Sequence, residues 1–99
     1  MKPLFIPLKT AYFEAFRSGL KTVEYRPYGS RWNERTCRLG RPVILSKGYG
    51  KAHRLYGHIT DFRRSGVPTC TRAWRDCYGD RAGEAACIRI AIDSTASNP

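Results

Sequence analysis

The sequence predicts a small α+β fold: a mixed β-barrel with one N-terminal helix and a second short helix. Three observations predict it. A chain of 99 residues, 41% of them hydrophobic and 12% aromatic, can fill one modest core. An apolar stripe at helical spacing comes early, at Tyr12, Phe13, Phe16 and Leu20. Several short apolar or alternating segments follow, as in a small barrel whose closure removes sticky edges. Residues 1–93 read as a single domain and 94–99 as a loose polar tail.

Leu4, Phe5 and Ile6 open as a strand. Thr10 is placed to cap the helix that follows, with Glu14 in its first turn and Arg17 in its last, as the helix dipole prefers. Gly19 stops it by accepting the left-handed conformation. Thr22 to Arg26 alternates like a strand, with Val23 and Tyr25 on one side and Glu24 and Arg26 on the other. Residues 28–40 interleave basic and aromatic side chains. Pro42 to Ser46 reads as a buried strand, Lys47 to Lys51 as a flexible basic loop, and Leu55 to Phe62 as a strand with Gly57 at a bulge. Thr71 to Tyr78 reads as a short helix burying Trp74 and Tyr78. Cys87 to Ile92 is a clean strand, with Ile88, Ile90 and Ile92 on one face.

Charge is the dominant global signal. Eighteen Lys and Arg face eight Asp and Glu, a net charge of +10, and thirteen of the eighteen are Arg. That field attracts polyanions, and guanidinium groups suit phosphates and stack on bases. Tyr28, Trp32, Tyr49 and Tyr56 offer faces on which bases can stack. The spacings of Cys37, Cys70, Cys77 and Cys87 contain no Cys-x-x-Cys, and His53 and His58 lie far from any of them. The thiols are expected to be reduced, with no metal and no cofactor. The short, Pro-broken apolar start is no signal peptide and no segment is long enough to span a membrane, so the expected place is the cytoplasm.

The segment Gly19-Leu-Lys-Thr-Val-Glu-Tyr-Arg26 fits G-x-K-x-x-E-x-R, preceded by a helix and contained in a strand. Here the chain resembles the ASCH domain family, from Leu4 to about Phe62 and again over Cys87 to Ile92. Family members commonly read Gly-Asp where this chain has Gly40-Arg41. The resemblance implies a PUA-like barrel, a cleft beside the helix and motif strand, and an RNA-related role. It places Lys21, Glu24 and Arg26 in that cleft; basic or aromatic Tyr28, Arg31, Trp32, Lys47 and Tyr49 are expected to flank it. The expected partner is RNA, single-stranded nucleic acid or a nucleotide.

An enzymatic reading stands beside the binding one. One branch of the family acts on acylated cytidines with a Lys, a Thr three residues later and a distant Glu. Lys21 matches, but Glu24 occupies the Thr position, and only Asp61 and Glu84 offer themselves as the distant acid. Other members resemble ribonucleases, in which case Lys21 and Glu24 would be the catalytic pair. A third reading is a protein–protein module acting through the basic face, as in small accessory proteins of phages.

Overall fold

The structure is a computed structural model that describes residues 1–66, 72–78 and 83–94. Five strands form one sheet in the order β1-β3-β4-β5-β2, curled into a half-barrel with two helices. They are β1 (Leu4–Leu8), β2 (Val23–Pro27), β3 (Pro42–Lys47), β4 (Arg54–Ser65) and β5 (Ala85–Ser94). The helices are α1 (Thr10–Ser18) and α2 (Arg72–Tyr78). β1 runs parallel to β3, and every other pairing is antiparallel.

Alternation builds the core. β1 buries Ile6 and Leu8, β3 buries Val43 and Leu45, β4 buries Leu55 and Ile59, and β5 buries Ile88 and Ile90. α1 lays Phe13 and Phe16 across this surface. Gly19 ends α1 at φ 84°, and its N–H donates to the Phe16 carbonyl at 3.2 Å. Three expectations for α1 differ from what is found. Its N-cap is Lys9 and no side chain caps it, because the helix begins at Thr10 itself. Glu14 lies beyond the first turn and pairs instead with Arg17 and Lys47. Leu20 is 89% exposed, because the reversal at Gly19 takes it off the helical stripe.

The expected strands extend further than their apolar segments, since β4 runs on through charged Arg63 and Arg64 to Ser65. There it pairs with β5, with Ser65 opposite Ala85. Trp74 is buried in α2 and Tyr78 half-buried, their ring centroids 4.5 Å apart. Cys70 and the tail from 95 onward lie outside the described residues.

The β4–β5 register shifts between Tyr56 and Gly57. A Cβ on Gly57 would sit 2.2 Å from the Ala91 carbonyl oxygen. The neighbour is backbone, so no side chain can swing aside. Gly57→Ala is expected to destabilise the domain by an amount near the top of the usual overpacking range, about 1–3 kcal/mol, measured by denaturant melting.

Candidate nucleotide-binding cleft

The motif strand β2 delivers its polar residues to one point. Glu24 is only 6% exposed, on the inward face of β2. Its Oε2 accepts from Arg26 Nε at 2.8 Å, and its Oε1 lies 3.6 Å from Lys21 Nζ. Both cations are themselves partly buried. Arg26 also donates through Nη2 to the Pro7 carbonyl on β1 at 2.6 Å. β1 and β2 stand at opposite ends of the sheet order, so this side chain ties the two free edges where no ladder joins them. Lys21 lies over the rings of Tyr12, Phe16 and Tyr25, at 5.4, 5.5 and 5.2 Å from their centroids. Cations at that range gain from the ring quadrupoles.

Three adjoining hollows open around this network. The smallest, about 30 Å³, is lined by Tyr12, Lys21, Glu24 and Tyr25 with Trp74, Cys77 and Tyr78 of α2. A second of about 150 Å³ lies over Glu24 and Arg26, bounded by Pro7, Leu8, Lys9, Tyr12, Cys77 and Tyr78. A third of about 340 Å³ runs past Arg26, Tyr28, Arg31, Trp32 and Tyr78. Tyr78 borders all three. The Tyr12 phenol is pushed above its ordinary pKa, chiefly by burial and then by Cys77 and Asp76, so it keeps its proton as a donor.

The structure gathers six of the expected site residues around these hollows and sets two apart. Lys21, Glu24 and Arg26 form the floor, and Tyr28, Arg31 and Trp32 the far wall. Trp32 is a core residue rather than a free stacking platform. It is 7% exposed, with the guanidinium groups of Arg26 and Arg31 at 5.0 and 5.5 Å from its ring. The loop around it is built by Asn33, whose Oδ1 accepts from the N–H groups of Arg35 and Thr36 and whose Nδ2 donates to Gly29 and Ser30. Tyr28 donates to Glu34, and its ring lies 4.1 Å from the Arg64 guanidinium. Lys47 lies elsewhere, paired with Glu14 at 3.3 Å. Tyr49, 82% exposed, packs near Phe5 and lines none of the three hollows. Lys9, Tyr12 and Tyr78 line the site without having been singled out for it. Tyr12 gave the one available signal, a polar tip on an apolar helical stripe.

The candidate acids for an enzyme are both engaged by arginines. Asp61 accepts from Arg63 Nε at 3.1 Å, and Glu84 pairs with Arg64 at 2.8 Å. Thr22 Oγ1 accepts from Arg89. Among the described residues no His, Cys, Asp and Glu group is arranged to hold a metal ion. Cys37, Cys77 and Cys87 are free thiols. Burial raises the pKa of Cys37 and, against the opposing charge of Arg63, that of Cys87. Among these three thiols, iodoacetamide at neutral pH is therefore expected to modify exposed Cys77 first and buried Cys37 only on unfolding, read by peptide mass spectrometry.

A basic α+β half-barrel with a cleft beside its motif strand defines the class of domain. In particular, the chain has an ASCH-type fold. It superimposes on an ASCH protein from Zymomonas mobilis with a TM-score of 0.60 at 17% identity, over 88% of this chain and 65% of that one. A mutant of the Zymomonas protein gives a TM-score of 0.65 at 17% identity, over 88% of this chain and 66% of that one. This chain thus spans about two thirds of the Zymomonas protein. It also superimposes on the hypothetical protein PH0355 with a TM-score of 0.66 at 16% identity, over 92% of this chain and 99% of that one. No family model and no curated protein matches the sequence. No helix among the described residues is long and apolar enough to cross a membrane.

Proposed function

We propose that the domain binds RNA by taking one unpaired nucleotide into the cleft between α1, β2 and α2. The observation that carries this is the position of Arg26, which borders both the 150 Å³ recess and the 340 Å³ depression. A recess of about 150 Å³ accepts one six-membered ring. The larger depression enters the range of small-molecule sites, about 300–1,000 Å³. A base in the first would meet the Tyr12 and Tyr78 rings. Its sugar and phosphate in the second would meet Arg26 and Arg31. Lys9 stands at the rim of the recess, and the net charge of +10 draws the strand in. Residues 1–93 act as one binding domain in this reading, and its setting is the cytoplasm.

The test is fluorescence anisotropy of a labelled single-stranded RNA across a salt series. With Lys9, Arg26 and Arg31 engaging phosphates, the cleft alone is expected to contribute about −2 to the slope of log K against log salt, at ~0.7 per phosphate. Between 50 and 200 mM salt that is a loss of about twentyfold. Absence of binding by folded protein at low salt would overturn the reading.

A further inference from the structure

The strand that carries the motif has a second face. Val23 and Tyr25 point away from the buried Glu24, and the antiparallel registers extend their rows across two more strands. Tyr25 pairs with Cys87, which pairs with Arg63; Val23 pairs with Arg89, which pairs with Asp61. The result is a groove of about 390 Å³ on the outer face of the sheet, walled by Tyr25, Arg63 and Arg89. Small Cys87 stands between Tyr25 and Arg63, which keeps the groove open. Arg63 commits Nε to Asp61 at 3.1 Å, and Arg89 commits Nη1 to Thr22 Oγ1 at 3.3 Å. Among the described residues their other guanidinium nitrogens have no hydrogen-bond partner, so each side chain is oriented yet retains donors.

The geometry points to a second nucleotide subsite in this outer groove, in which single-stranded RNA leaving the cleft passes round the β2 edge, stacks a base on Tyr25 and sets phosphates on Arg63 and Arg89. The subsite rests on the RNA reading of the cleft. Three facts support it. Among the described residues β2 ends the sheet order, and α2 meets this edge where the Tyr78 hydroxyl donates to the Tyr25 carbonyl at 3.4 Å, so the way from one face to the other lies past Lys21 and Val23. Lys21 touches both sides, 3.6 Å from Glu24 Oε1 and 5.2 Å from the Tyr25 ring centroid. An aromatic ring beside two guanidinium groups matches an unpaired base with its flanking phosphates, whereas a duplex has no base free to stack.

The experiment compares the wild-type chain with two double variants of equal charge loss, using a labelled ten-nucleotide single-stranded RNA. One is Arg63→Gln with Arg89→Gln, which keeps the side-chain stems on an exposed face. The other, the control, is Lys2→Gln with Arg17→Gln. Melting curves confirm that each is folded. The groove variant is expected to bind about tenfold or more weakly, with a salt slope shallower by about 1.4, the value for two lost phosphate contacts. The control is expected to lose less than about threefold, with little change in slope. Equal losses in the two variants, or none in the groove variant, would overturn the subsite and leave the cleft reading intact. A wild-type chain that does not bind the RNA would overturn both. Should the groove variant unfold, Cys87→Leu, which fills the groove floor with an apolar side chain, is expected to weaken RNA binding with a normal melt; unchanged binding then counts against the subsite.

Discussion

Glu24→Gln is expected to cost about 3–5 kcal/mol of stability, the range for breaking a buried ion pair by neutralising one partner. The carboxylate is nearly inaccessible and its two oxygens face two different cations. Removing the charge strands both Lys21 and Arg26. It also loosens Arg26 from its place between β2 and the Pro7 carbonyl, the side-chain tie between the two ends of the sheet. A domain of this size has only about 5–15 kcal/mol in total, so the melting temperature should fall by on the order of 15–30 °C. RNA affinity per folded molecule, measured below the new transition, should fall by no more than the one phosphate contact that a loosened Arg26 gives up. A variant that melts like wild type but loses RNA binding would show that Glu24 reads a base directly.

Trp32→Ala carries a similar expected loss, about 3–5 kcal/mol for a large aromatic removed from a packed site. The indole belongs to the same core cluster as Ile6, Phe13 and Ile88, and two guanidinium groups cover it. Trp32→Phe should recover much of that loss, because a ring remains under Arg26. Chemical denaturation of the three proteins checks both statements. A wild-type-like melt for Trp32→Ala would mean that the indole is held at the surface, free to stack on a ligand.

Much of the backbone was legible because it follows from period and punctuation. Phe13 and Phe16 at helical spacing, Gly19 after them, and alternation through Glu24 and Arg26 specify a helix, a stop and a strand. Gly57 interrupting an apolar strand marked the register shift, and the nearby Ala91 carbonyl leaves room there for no larger residue. The site was legible only in its strand-borne part. Interleaved Arg and aromatic residues over 28–40 look the same whether the ring anchors a core or waits for a base, and in Trp32 the core won. Lys47 and Tyr49 were grouped with the motif by charge and ring type, which carry no information about where a distant turn lands. The Arg26 contact with Pro7 has no sequence signal at all, because every residue has a carbonyl. Tyr78 reached the cleft through α2, whose position depends on tertiary packing rather than on local pattern.

The pairing of β2 also sets a clock on the protein's usefulness. Val23 pairs with Arg89, sixty-six positions further along the chain, and among the described residues β2 has no other ladder partner. During synthesis the motif leaves the ribosome well before β5, and it stays without that neighbour until β5 has emerged. Contacts so distant in sequence form slowly, because the intervening chain must be closed into a loop first. β3, β4 and β5 are joined by antiparallel ladders and can assemble ahead of it. A nascent or truncated chain ending before Ala85 therefore displays all of G-x-K-x-x-E-x-R and lacks the strand that holds it in place, so the proposed RNA engagement requires a chain made through β5.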